Sequence, residues 1–151
     1  MNKYFKLIVS IFVCEAAGIL GSVFTINSVN TWYTTLNKPF FNPPSWLFGP
    51  VWTLLYLLMG ISLYLVWEKK KVNLKWFWTQ LALNSIWSII FFGLKNPSIA
   101  FVEIVFLWYS IFRTIKDFEK INKIAAILLY PYLFWVSFAS VLNLAIVILN
   151  K

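Results

Sequence analysis

The stretch LIVSIFVCEAAGILGSVFTI, Leu7 to Ile26, decides how this chain is read. It follows Lys3 and Lys6, so its start looks like a secretory signal. It then continues for the roughly 20 residues that a bilayer-crossing helix needs, with no convincing small-residue cleavage site. Read as a span that is retained, it makes the chain a membrane protein. One charged residue, Glu15, stands inside it.

Working outward, further apolar runs follow at about 46–67, 76–94, 98–115 and 124–149. Charged, Pro or Asn breaks separate them at 27–45, 68–75, 95–97 and 116–123. The 151 residues are 61% hydrophobic and 12% charged, with mean hydropathy +0.77. A soluble domain carries about 25% charged residues. In hydrocarbon every backbone polar group must be satisfied internally, which leaves helices or a closed barrel. A barrel would show alternating segments of about ten residues, and these runs do not alternate. The expectation is an all-α integral membrane protein, a five-transmembrane-helix bundle forming a single domain over 1–151.

The net charge is +8 and the chain has no histidine. Ten of the 13 Lys and Arg fall on one side of the five-span arrangement: Lys3, Lys6, Lys69, Lys70, Lys71, Lys75, Arg113, Lys116, Lys120 and Lys123. Lys38, Lys95 and Lys151 fall on the other. This bias places the N-terminus in the cytoplasm, with the C-terminus and the loop 27–45 outside. Split among short loops, the basic residues argue against a nucleic-acid surface. The short N-terminus without a presequence points to a prokaryotic plasma membrane. The single cysteine, Cys14, excludes an internal disulfide and a Cys-rich metal site. Without histidine there is no His-ligated zinc or haem and no Ser-His-Asp set, and no phosphate-binding glycine motif is present. No cofactor is expected.

Ser45 is placed to cap the second helix, and Asn96-Pro97 supply a cap and a first-turn proline for the fourth. Pro131 should kink the fifth and free the carbonyl of Ile127. The loop between the first two runs contains WYTTLNKPFFNPPSW, residues 32–46. Its prolines hold the backbone extended or turned at low entropic cost. Two readings of its aromatics stand: a rigid cover over a cavity, or a belt at the headgroup level.

Within the spans, helical spacing puts Trp52, Tyr56 and Gly60 on one face of the second helix, near Gly49 and Thr53. It does the same for Asn84, Trp87 and Phe91 on the third and Trp135, Ala139 and Asn143 on the fifth. Asparagine facing lipid is costly, so these faces should point inward. They either bond helix to helix or, with small residues beside large aromatics, leave room for a flat ligand. Glu15, about 12 Å into the first run at 1.5 Å per residue, and Glu103 are intramembrane carboxyls and so functional candidates. Glu15 is otherwise a protonated hydrogen-bond donor within the bundle. Ala17-x-x-x-Gly21 and Gly18-x-x-x-Ser22 permit close helix approach.

Several ordered motifs together resemble one family. They are Trp32-Tyr33-x-x-Leu36-x-Lys38-Pro39, Pro43-Pro44, Val51-Trp52-x-x-Leu55-Tyr56-x-x-Met59-Gly60, Leu81-Ala82-Leu83-Asn84-x-x-Trp87 with Phe91-Phe92-Gly93, and Pro131-Tyr132-Leu133-x-Trp135-Val136-x-Phe138-Ala139-x-x-Leu142-Asn143. The chain is similar, over essentially its whole length, to the TspO/MBR family of tryptophan-rich sensory and translocator proteins, which includes the peripheral-type benzodiazepine receptors.

The resemblance implies a receptor or sensor that binds porphyrins such as protoporphyrin IX, or isoquinoline-type ligands, in a pocket under the first external loop. It implies a role in tetrapyrrole or stress responses. Carried over by motif, the pocket residues are Tyr33, Pro43, Trp52, Tyr56, Asn84, Trp87, Phe91, Trp135 and Ala139. Trp52 and Trp135 match tryptophans implicated in porphyrin breakdown, so a light- and oxygen-dependent porphyrin-degrading enzyme is the alternative. A porphyrin or lipid transporter is the third reading, with little support because no inverted repeat or ion relay is visible. Membrane lipid and a homodimer are the further partners the family suggests. Two departures follow from the residues: Leu144 to Lys151 lack the tyrosine of the animal sterol motif, and Ile86 stands four residues after Ala82, where a small residue would continue the dimer pattern.

Overall fold

The computed structural model describes residues 2–69 and 72–151. Lys70 and Lys71, counted above among the topology markers, lie outside the described residues. Among the described residues every regular element is helical: α1 Lys3–Val29, α2 Phe48–Trp67, α3 Lys75–Ser88, α4 Pro97–Glu119, α5 Lys123–Ile127 and α6 Tyr130–Leu149. Short 3₁₀ turns at Trp32–Thr35 and Ser45–Leu47 punctuate the long loop.

Among the described residues, four helical stretches are long and apolar enough to cross a membrane: Lys3–Val29, Ser45–Trp67, Pro97–Glu119 and Lys123–Leu149. The third expected run differs in kind. It is a 14-residue α-helix that widens into a π-helical turn at Ile89–Gly93. Its polar residues Gln80, Asn84 and Ser85 are buried, bonding to neighbouring helices. A helix that supplies the bundle's internal hydrogen bonds is less apolar than those that face lipid.

The local signals hold in part. Asn96 caps α4, its Oδ1 accepting from the Ile99 N–H at 3.1 Å, with Pro97 in the first turn. Ser45 does not cap α2. The extended Pro44 leads into the 3₁₀ turn, and the cap position passes to Leu47, which makes no side-chain bond. At Pro131 the kink is a full break. α5 ends at Ile127 and α6 starts at Tyr130, which leaves Pro131 in a first turn where its missing N–H has no helical partner to lose.

Away from the long loop the interior is solid. Met59, Phe77, Ile111, Ile115, Phe118 and Leu129 are at most 1% exposed. Towards the loop a second cluster gathers Tyr33, Phe91, Phe92, Ala100, Leu142 and Ile146. Outward, Phe12, Phe106 and Phe134 are 62–70% exposed. Large apolar side chains all around long helices need lipid around them, so the chain is an integral membrane protein.

Helix α1 packs through small residues: its buried positions are Ser10, Cys14, Gly21 and Ser28. Gly60 of α2 meets the Ile11 backbone so closely that an added Cβ would lie 2.5 Å from its Cα. Gly60 therefore serves the α1–α2 contact rather than sharing a ligand face with Trp52. Gly18 and Gly21 likewise lie against Tyr56 and Ser88 of the same chain. The ends are tied as well. Lys6 pairs with Glu68, and its hydrogen bond and then its charge hold that carboxyl below its ordinary range. At the opposite end Asn37 and Asn150 bond reciprocally at 2.9 and 2.8 Å, which fastens the loop to the C-terminal end of α6.

Candidate functional site

A cavity of about 400 Å³ occupies the loop-side half of the bundle. Helix α1 offers it Glu15, Gly18, Ile19, Ser22 and Thr25, one face at spacings of three and four. Gly49, Trp52, Thr53 and Tyr56 come from α2, and Trp87 and Ser88 from α3. Phe91 and Phe92 come from the π turn, and Trp135, Ala139 and Asn143 from α6. A side opening lies between α1 and α2, where Ile19 is 66% exposed and Gly49 and Thr53 are exposed too.

Of the residues expected at the pocket, the structure brings Tyr33, Trp52, Tyr56, Trp87, Phe91, Trp135 and Ala139 to this one cavity. Pro43 and Asn84 do not line it. Pro43 is half-buried in the loop. Asn84 lies behind the wall, where its Oδ1 accepts from the Tyr56 hydroxyl and its Nδ2 donates to the Tyr132 hydroxyl at 2.7 Å. Tyr132 donates onward to Gln80 Oε1 at 2.7 Å. This buried chain fixes Tyr56, which in turn stands against Gly18. Partly satisfied, it would be costly; with its polar atoms paired it rigidifies the wall.

The wall is aromatic and held by specific bonds. Trp52 and Trp135 meet edge to face, with centroids 6.4 Å apart and planes at 88°. Trp87 stacks on Phe91 at 4.9 Å. The Trp87 Nε1–H donates to Asn143 Oδ1 at 3.0 Å, and Asn143 Nδ2 donates to the Pro97 carbonyl at 2.8 Å. The π turn inserts one residue into the helical register, so the adjacent Phe91 and Phe92 are both buried, at 2% and 7% exposure.

The loop closes the end of the cavity. The Tyr33 hydroxyl donates to Asn42 Oδ1 at 2.7 Å, and burial pushes its pKa up to about 12. Lys38 Nζ donates to the carbonyls of Tyr33 and Leu36 at 2.9 and 3.1 Å, and lies 4.9 Å from the Tyr33 ring centre. Phe41 packs on Phe138 of α6 at 6.1 Å. The aromatics of the loop divide into two sets. Tyr33 and Phe41 turn inward, whereas Phe40 and Trp46 are 100% and 72% exposed.

Sequence reasoning passed over Phe48, Phe138, Leu142 and Ile146, which also line the cavity. Phe138, Leu142 and Ile146 follow Trp135 at steps of three and four, so periodicity alone could have found them. Phe48 depends on the entrance angle of α2, which no spacing reveals. Glu15 faces the cavity; Glu103, 9% exposed on α4, does not line it. Chemically the site offers several π-faces, a carboxyl and few other polar atoms. It suits a flat, largely apolar ligand.

The chain matches the sequence model of the TspO/MBR family over residues 10–149. It is 51% identical over 149 residues to the tryptophan-rich protein TspO of Archaeoglobus fulgidus, covering 96% of this chain and 97% of that one. The protein of the same name from Chlorobaculum tepidum is 47% identical over 157 residues, with 99% of both chains covered. The human translocator protein is 40% identical over 131 residues, covering 82% of this chain and 78% of the human one.

Proposed function

The chain belongs to the TspO/MBR family, and from that premise we propose that it is a membrane receptor or sensor for porphyrin-like ligands, held in the cavity under the long loop. The observation that carries this reading is the perpendicular pair Trp52 and Trp135 on one wall with Trp87 and Phe91 stacked on another. A planar macrocycle gains most from such faces. A cavity of about 400 Å³ lies in the range usual for small-molecule sites, about 300–1,000 Å³. The same reading extends to an isoquinoline-type ligand and to a part in tetrapyrrole or stress responses. It includes α3 with its π turn as the fifth span, a cytoplasmic N-terminus, and residence in a prokaryotic plasma membrane.

The test is quenching of tryptophan fluorescence by protoporphyrin IX in the dark, beside Trp52→Phe and Trp135→Phe. Saturable binding that weakens several-fold in either variant is expected. Non-saturable quenching that is equal in all three proteins would overturn it. A second reading, light- and oxygen-dependent porphyrin degradation, is favoured by the same indole pair, because an excited macrocycle would lie against oxidisable rings. Under illumination that reading requires a new product whose formation is lost in a Trp→Phe variant that still binds.

A further inference from the structure

Glu15 is the one acidic residue on the cavity wall. It sits on the fourth turn of α1, about 18 Å along the helix from Lys3 at 1.5 Å per residue. The next residues of its face, Gly18 and Ile19, also line the cavity, and Gly18 touches the Tyr56 ring. The carboxyl is therefore one helical turn from Tyr56, whose ring in turn lies 5.8 Å from that of Trp52. No Lys or Arg balances it: among the described residues the single ion pair is Lys6 with Glu68, at the end of the bundle. Tyr56 does not serve it either, since the phenol proton is given to Asn84. A carboxyl inside a membrane bundle, facing an aromatic cavity and lacking a counter-charge, fits a ligand that brings one.

We propose that Glu15 makes the inner end of this cavity a subsite for an organic cation: an ammonium or amidinium group borne on an apolar, aromatic ligand. The charge is met by the Glu15 carboxylate and by the faces of Tyr56 and Trp52, whose ring quadrupoles attract cations, while the apolar body lies among the remaining aromatics. The side opening between α1 and α2 gives such an amphiphile a route from the lipid phase, past Ile19 and Thr53. The proposal uses the cavity assigned above to porphyrin-like ligands but names a different ligand charge, and its test is independent of porphyrin.

The probes are naphthylmethyl-trimethylammonium, charged at every pH, and its neutral isostere with carbon in place of nitrogen. Both are titrated by tryptophan fluorescence against the wild type, Glu15→Gln and Glu15→Asp in one detergent. The wild type should favour the cation over the isostere by about tenfold or more. Glu15→Gln should lose most of that preference, leaving what the Tyr56 and Trp52 rings supply, and Glu15→Asp should keep more of it. Comparing ratios cancels partition into detergent and any general loosening of the cavity. Monodisperse elution and retained helical circular dichroism show that each variant is folded, and Glu15→Asp carries the test if Glu15→Gln is not. An equal preference in all three proteins, or no saturable binding of the cation to the wild type, would overturn the subsite. Failure of protoporphyrin IX to bind the wild type would remove the porphyrin reading alone and leave a measured cation preference standing.

Discussion

At Gly18 the α1 backbone passes so close to α2 that an added Cβ would lie 2.4 Å from Cε2 of Tyr56. Gly18→Leu must displace that ring and break its bond to Asn84, so it should destabilise the protein by about 1–3 kcal/mol, read from thermal melts in detergent. Gly49 is the contrast. A Cβ there meets nothing within 4 Å, so Gly49→Ala should be neutral or stabilise by up to about 1 kcal/mol. Equal losses at both positions would contradict the packing described. Tyr33 supplies a pH dependence. Burial raises its pKa to about 12 from the ordinary value near 10, so the folded loop holds its proton more tightly than the unfolded chain does. Its contribution is therefore complete below about pH 10 and is lost as pH rises towards 12. Proteolysis of the loop should accelerate across that window, and Tyr33→Phe should remove the step. These single-residue contacts are the least legible in a sequence. The spacing of Asn84 from Trp87 left open a helix-to-helix bond or a ligand contact, and tyrosines from two other helices take its amide.

At the scale of elements, punctuation was readable where the chemistry is local. Asn96-Pro97 start α4, and Asn96→Ala should cost about 1 kcal/mol through the lost cap. Pro131 divides α5 from α6 because a helix interior does not accommodate its ring and missing N–H, while a first turn does. The π turn was not readable. The run Ile89-Ile90-Phe91-Phe92-Gly93 contains no breaker before its end, and its widened register buries two adjacent phenylalanines against Trp32 and Tyr33 of the loop. The loop's fastening was equally hidden, since Asn37 and Asn150 lie 113 residues apart in the chain. Asn150→Ala should loosen the cover and raise both association and dissociation rates of a cavity ligand by a few-fold in stopped-flow fluorescence. Unchanged rates would mean that ligand exchange runs through the gap between α1 and α2 alone.

For the whole molecule, apolar run lengths were enough to read a helical membrane protein, because a bilayer imposes such lengths on any helix that crosses it. What they left open is that the bundle is solid at one end and hollow at the other. That contrast arises where large aromatics meet small residues on different helices, which only the assembled fold brings together. The proposed orientation can be read by labelling. On a Cys14→Ser background, Phe40→Cys should react with a membrane-impermeant maleimide on intact cells, and Lys69→Cys only after permeabilisation. The reverse pattern would invert the topology.

The central claim is that a flat hydrophobic ligand occupies the cavity at the loop-side end. It is tested most directly by filling that space. Ala139 lines the cavity on α6, and Ala139→Phe would place a ring inside it. Protoporphyrin IX should quench the wild type saturably in the dark and bind this variant at least about tenfold more weakly, a loss of about 1.4 kcal/mol, with helical content unchanged. Equal affinity for both proteins would place the ligand elsewhere and contradict the account.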